Sequence, residues 1–336
     1  VIGSFFDGQT FEQTLLSLQK QSAETLETQT ISDQICRFGT LSRSLAKSED
    51  KARLVQLSLA AAMMNRQTLH ENMNAAFEEG TGRTMGRGAD KAGRIALVKT
   101  VFCDPKDAGG GTKSWCQSTS EADRNRDIDT FRSFYAPQTL DIDFSQELEL
   151  KETADERNLF ALASNLFAHD LPANLVKSDL DALNGADPQL AKEKIDRLME
   201  FRSLVAKRSV AQNSFATLAA MKAAGSGSSA LYMKEIVRDL GLDDAAQAAE
   251  IGDRPSYNAQ MNMLTRTLYQ SPSFYANLME STTNVARQQS AMESIALMQD
   301  RDIYDSLRRS EMLLSTLLET YIAQSQDALK DRGTKK

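Results

Sequence analysis

The stretch that decides the fold is SEDKARLVQLSLAAAMMNRQTLHENMNAAFEE, Ser48–Glu79, which contains neither proline nor glycine. Alanine, leucine, methionine, glutamine and glutamate dominate it, and these side chains lose little rotamer freedom on entering a helix. Ser48, with Glu49 and Asp50 behind it, reads as an N-cap followed by an acidic first turn. The pattern predicts one helix of about 30 residues, about 45 Å long at 1.5 Å per residue, ending at Gly80. Aromatic residues make up only 7% of the 336, and prolines number six. That balance favours helix over sheet throughout and places the chain in the all-α class.

Working outward, residues 1–9 read as an extended lead-in, after which Phe11, Leu15 and Leu18 share a helical face. Ile31, Ile35, Phe38, Leu41 and Leu45 share another. GTGRTMGRGADKAG, Gly80–Gly93, is a flexible turn or lid. A phosphate cradle is the alternative there, but such fingerprints need a strand in front, and here a helix precedes. Leu140, Ile142 and Phe144 alternate with polar residues and predict one short strand or extended arm. Its partner would be a segment of this chain, such as the lead-in, or another protein's sheet.

Helical pattern returns at Asp155 with Leu159, Leu162, Ala163, Leu166 and Phe167, then turns at Pro172 and Pro188. A longer helix from Gln189 carries Leu198, Phe201, Val205, Phe215 and Leu218. AAGSGSSA, Ala223–Ala230, reads as a flexible joint. Two short helices separate at Pro272, and the last helix runs from about Thr282 to about Leu329. Its face comprises Val285, Met292, Ile295, Ile303, Leu307, Leu314, Leu317 and Tyr321 and weakens at Asp300 and Asp302, which predicts packing on shorter helices over a strict coiled coil. The expected architecture is an elongated multi-helix bundle in four regions: 1–100, 101–150, 151–224 and 225–336.

The formal net charge is −7, which repels a nucleic acid unless a basic patch intervenes. Arg124–Arg126 and Leu307–Arg309 are short basic groups with acidic neighbours, including Asp123, Asp127, Asp305 and Glu311, and read as solvated helix faces. Leu54–Met64, broken by Gln56 and Ser58, falls short of the roughly 20 apolar residues a spanning helix needs. GSGSS at Gly225–Ser229 lacks the strand and spacing of a nucleophile elbow. His70 and His169 read as a surface residue and a helix end. Two histidines and three cysteines form no ligand motif. DLDALNGADPQ, from Asp179, starts like a calcium loop but has Leu190 where the closing acid belongs. Asp141 and Asp143 form a carboxylate pair of a kind common by chance. No catalytic, cofactor-binding or metal-binding residue is therefore expected.

The segment CDPKDAGGGTKSWC, Cys103–Cys116, permits a metal site, a catalytic loop or a covalent staple. With no histidine and no second cysteine pair beside it, the staple is the expected state and two free thiols the alternative. Phe102 and Trp115 flank the sulfurs, and Lys106, Asp107 and Lys113 at the rim are candidates for partner contact. Cys36, next to Ile35 on an apolar stripe, is expected to be a buried free thiol. A disulfide implies an oxidising compartment. The chain begins at Val1, and the corresponding expectation is a periplasmic protein whose signal peptide has been removed, although a trimmed terminus would look the same.

QICRFGTLSRSLAKSEDKARLVQL (Gln34–Leu57), the later FCDPKDAGGG, and SPSFYANLMESTTNVARQQSAMESIALMQDRDIYDSLRRSEMLLSTLLE (Ser271–Glu319) resemble periplasmic proteins encoded with bacterial conjugation and Dot/Icm-like type IV secretion systems. The resemblance covers about a quarter of the chain and carries no catalytic signature. It implies an exported, non-enzymatic scaffold or adaptor that meets other envelope proteins, or further copies of itself, through helical faces. The alternatives are an extracytoplasmic glycan hydrolase built on an isolated glutamate, and a cytoplasmic helical interaction protein with reduced cysteines.

Overall fold

The computed structural model describes residues 33–68, 87–117, 119–144, 152–167, 169, 171, 188–227, 230–239, 251–270, 272, 274–275 and 282–333. The chain divides into two units, residues 1–42 and 43–336. Of the first, Asp33–Ser42 is described, and it is helical. The core cluster and the cavities lie in the second. The stripe at Phe11–Leu18, the glycines at 80–86, His70, the segment at Asp179 and the side chain of Cys36 lie outside the described residues.

Among those residues the regular structure is helical. The helices are α1 (Asp33–Thr68), α2 (Arg87–Leu97), α3 (Ala154–Phe167), α4 (Pro188–Ala220), α5 (Ala230–Asp239), α6 (Tyr257–Thr265) and α7 (Thr282–Gly333). Wide helical turns extend α2 over Val98–Phe102 and form again at Phe131–Tyr135. The all-α expectation holds, and α7, at 52 residues, is the longest element among the described residues.

α1 starts earlier than its sequence suggests. Ser48 is an interior residue of the helix, fully buried, and its hydroxyl accepts from Gln260 Nε2 at 2.6 Å and from the Ser226 amide at 3.2 Å. The hydroxyl that reads as a cap is instead a junction between α1, α6 and the segment after α4. Thr153 and Glu156 do form a reciprocal cap at the start of α3. The Glu156 amide donates to Thr153 Oγ1 at 3.1 Å, and the Thr153 amide donates to Glu156 Oε2, also at 3.1 Å.

The core joins α1, α3, the end of α4 and the arm. Ala52, Val55, Leu59 and Met63 recur on one face of α1 and meet Leu159, Phe160, Leu162 and Ala163 of α3. Phe215 of α4 stacks on Phe134, with ring centroids 5.2 Å apart, and meets Phe167 edge-on at 5.5 Å. Beyond Phe215 the buried face of α4 runs through Ala216, Ala219 and Ala220, so Leu218 lies off it and is exposed. Leu166 on α3 is likewise exposed.

Leu140, Ile142 and Phe144 all enter this core. Their segment is an extended arm held by a single parallel bridge to Ala223, in which the Leu140 amide donates to the Lys222 carbonyl (2.7 Å) and the Ala224 amide to the Leu140 carbonyl (2.9 Å). The arm thus pairs with its own chain, at the exit of α4. Lys222 Nζ adds bonds to the carbonyls of Tyr135 (3.2 Å) and Pro137 (2.8 Å).

The Gly/Ser stretch is no joint at its start. Ala223, Ala224 and Gly225 are buried, and the Gly225 amide donates to the Arg254 carbonyl at 3.1 Å. Small residues occur there because three backbones converge. A Cβ at position 225 would lie 2.5 Å from the Pro255 carbonyl oxygen and 2.9 Å from Ser48 Cβ. Gly225→Ala is therefore expected to destabilise the fold by about 1–3 kcal/mol through overpacking, read as a lower urea midpoint. Gly227→Ala, in looser surroundings with its nearest atom at 3.0 Å, should lose less.

Candidate functional site

Three features stand out from the helical body: the stapled loop, a largely apolar cavity with a charged rim beneath it, and the outer face of α7. The loop is closed by the disulfide between Cys103 and Cys116, whose Cα atoms are 5.5 Å apart. Asp104 organises its first half. Its side chain accepts from the Lys106 amide (2.9 Å), and its carbonyl accepts from the Asp107 amide (3.1 Å) and from Thr112 Oγ1 (2.7 Å). Ala108, Gly109 and Gly110 take left-handed backbone angles to turn the chain. Lys106, Asp107 and Lys113 all lie exposed on this loop. Phe102 is buried beside its sulfur, while Trp115 is half in solvent with Lys99 Nζ over its ring at 5.2 Å.

Beneath the loop, α2, α3 and the turns at 121–128 border an open cavity of about 240 Å³, lined by the apolar Ile95, Leu97, Val98, Phe102, Trp115 and Ala161 and by the polar Lys91, Arg94, Asp127, Asn165 and His169. Its wall is held by buried charge. Arg66, in the last turn of α1, makes a bidentate pair with Asp90, in the first turn of α2: Nε to Oδ1 at 2.5 Å and Nη2 to Oδ2 at 2.8 Å. Both side chains are under 8% exposed. Each charge also suits the helix end it occupies. Arg94 lies 4.0 Å from the same carboxylate and donates to Asn165 Oδ1 and to the His169 carbonyl. Asn165 Nδ2 donates in turn to the carbonyl (2.9 Å) and carboxylate (3.1 Å) of Asp127.

Asp127 reads in sequence as part of a solvated helix face. The segment is instead a run of turns with Asn125 in the left-handed region, and Asp127 is buried. Burial raises its carboxyl above the usual range, against the opposing bond from Asn165 and charge of Arg94. A raised carboxyl holds its proton in the folded state after the unfolded chain has lost it. Its stability contribution is thus present below the unfolded value of about 3.9 and lost as pH rises through the folded value. Asp127→Asn should remove that dependence, so the melting temperature of the variant minus that of the parent should rise from pH 3 to pH 7. A flat difference would contradict it.

α7 carries two opposed faces. Half-buried positions recur every three or four residues, through Ile295, Met298, Asp302, Asp305, Arg309, Leu313, Thr316 and Thr320, and several are polar. Tyr257 of α6 donates to Asp302 Oδ2 at 2.8 Å, and burial with that carboxylate raises the Tyr257 phenol far above its usual range. On the far side, Ile303, Leu307, Leu314, Leu317 and Leu318 are 57–65% exposed. The stripe that sequence reading assigns to packing on shorter helices therefore points largely outward. Leu57 and Met64 of α1, Val210 and Asn213 of α4, and Arg309 and Met312 of α7 line a second cavity, of about 440 Å³.

Asp141 and Asp143 serve as structural pairs. Asp141 meets Arg254 at 3.1 Å, and Asp143 meets Lys51 at 3.9 Å. Among the described residues no group of three or more His, Cys, Asp and Glu side chains is placed to hold a metal ion, and no helix is long and apolar enough to cross a membrane. Among the described residues Glu156 is a buried glutamate, and it also accepts from the Asp143 amide at 2.6 Å, so both of its oxygens serve backbone amides. Sequence reading missed Arg66, Asp90, Arg94 and Asn165. The available signal was weak: a basic residue late in one helix and an acid early in the next. No family model, curated protein or solved structure matches this chain.

Proposed function

We propose that this protein is a non-enzymatic scaffold or adaptor that works through helical protein–protein interfaces, in the periplasm, within a type IV secretion or conjugative transfer apparatus. The observation that carries the first part is the outer face of α7. Large aliphatic side chains at 57–65% exposure recur along one side of a long helix, Ile303 and Leu307 before the polar Ser310 and Glu311 and Leu314, Leu317 and Leu318 after them, and exposed apolar groups in such a row suit an interaction site. The disulfide supports an oxidising compartment. The placement in a transfer apparatus is supported by the resemblance of Gln34–Leu57 and Ser271–Glu319, the second of which contains most of the exposed α7 face.

The test is co-purification of tagged full-length chain from envelope extracts of a host carrying such an apparatus, paired with a deletion strain assayed for DNA transfer. Apparatus subunits should be recovered with the parent, be lost with Leu314→Glu, and transfer should fall in the deletion strain. Recovery of none of these subunits, together with unchanged transfer, would overturn the proposal.

A further inference from the structure

We infer that the cavity beneath the stapled loop binds a small amphipathic carboxylate, with its apolar body against Phe102 and Trp115 and its anionic group beside Lys91 and Arg94. The site is separate from the outer face of α7 and does not depend on how that face is read. Lys91, Arg94, Ile95 and Val98 all line the cavity and stand at i, i+3, i+4 and i+7, so they share one side of α2 and the turn that extends it. The two cations occupy one end of this stripe, and the apolar pair leads toward Phe102 at the other. At about 240 Å³ the cavity falls just below the range of about 300–1,000 Å³ that holds drug-sized ligands, so its occupant is smaller.

Charge complementarity sets the sign of the ligand. The chain as a whole is acidic, with 46 acidic residues against 39 basic. The cavity reverses that balance: Lys91 and Arg94 line it, Lys99 stands over the Trp115 ring, and Asp127 is the one carboxylate among the lining residues. Asp127 is engaged by Asn165 Nδ2, and burial raises its carboxyl, so it offsets less of the positive charge. Asp90 lies beside Arg94 but is held by its bidentate pair with Arg66. Lys91 is exposed at the rim and has no ion-pair partner among the described residues. A cationic ligand would meet this surplus with like charge, whereas a carboxylate complements it. The walls are also fixed before binding. Phe102 and Trp115 each adjoin a cysteine of the disulfide, and the Gln117 amide bonds the Lys99 carbonyl at 2.9 Å, which ties the loop to the extension of α2. Such a site loses little freedom when it binds.

Trp115 is the only tryptophan of the chain, so its emission reports on this cavity directly. The inference is tested by titrating full-length oxidised protein with phenylbutyrate, phenylbutanol and phenylbutylamine, which share a carbon skeleton and differ in charge. Phenylbutyrate should change Trp115 emission saturably with a Kd of about 1 mM or below, as suits a ligand of about a dozen heavy atoms. The alcohol should bind about fivefold more weakly, and the amine more weakly still. Lys91→Glu should weaken phenylbutyrate about fivefold, because reversal turns an exposed attraction into a repulsion, and should improve the amine. Ala161→Leu, which adds bulk to the cavity from α3, should abolish binding with unchanged helical circular dichroism. The inference is overturned by no saturable change with phenylbutyrate up to about 10 mM, or by Lys91→Glu binding as the parent does. Equal binding of the alcohol or the amine overturns the choice of a carboxylate, and phenylbutyrate binding that persists in Ala161→Leu places the ligand elsewhere and overturns the site.

Discussion

Asp90→Ala is expected to lower the stability of the fold by roughly 3–5 kcal/mol, the range for breaking a buried ion pair from one side. The substitution removes two charge-assisted bonds, at 2.5 and 2.8 Å, and leaves the Arg66 guanidinium in a site where its side chain is only 7% exposed. The loss comes mostly from a buried cation deprived of its bidentate carboxylate. Replacing both partners, as Arg66→Met with Asp90→Leu, should therefore recover most of it, because desolvation of the pair offsets most of its attraction. Urea unfolding of the single and double variants separates the cases. A double variant as unstable as Asp90→Ala would mean that the pair stabilises the fold beyond apolar packing. A single variant within about 0.5 kcal/mol of the parent, the range for ordinary surface changes, would mean that the site admits water. Arg94 shares the Asp90 carboxylate at 4.0 Å and lines the cavity under the loop, so Asp90→Ala should also loosen that wall.

The second large effect is loss of the staple. Cys103→Ser/Cys116→Ser is expected to cost about 3 kcal/mol on the chain-entropy account, for a closed loop of about 15 residues. The oxidised parent should lose a similar amount on reduction, and the double variant should be indifferent to reductant. Thiol counting gives an independent check: the chain has three cysteines, so one should be alkylated in the unfolded oxidised protein and three after reduction. Three reactive thiols before reduction would refute the staple. The loop retains the Asp104 turn, the Thr112 bonds and the Gln117 amide to Lys99 carbonyl bond (2.9 Å) without its sulfurs. Binding through Lys106, Asp107 or Lys113 should thus be weakened by the double variant only as far as the loop itself is disordered, and loss of stability with retained binding would make the loop purely structural.

The helices were legible from propensity and spacing wherever one face is apolar and the other polar. Val55, Leu59 and Met63 on α1 and Leu159, Leu162 and Ala163 on α3 sit in the core that such spacing requires. α7 shows where spacing stops being informative. It identifies a face that needs covering but cannot say whether the cover comes from the same chain, and here Leu307 and Leu314 remain in solvent. Ser48 and Gly225 show a second limit. A serine before two acids and a glycine among serines have ordinary local meanings, as cap and joint, and both are displaced once three segments meet at one point.

What the sequence by itself determined is the class of fold, and it left two expectations, a short strand or extended arm at Leu140–Phe144 and a staple between Cys103 and Cys116, that the structure resolved as an arm and a disulfide. Each follows from local chemistry: rotamer entropy, side-chain alternation, and a short glycine-rich loop whose ends can meet. Only the tertiary structure decided that the arm pairs beside Ala223, that Arg66 finds Asp90, that Asp127 is buried beneath the staple, and which side of α7 faces out. These are outcomes of long-range packing. The free energy of a buried charge or an exposed leucine depends on neighbours distant along the chain, and no local pattern encodes them.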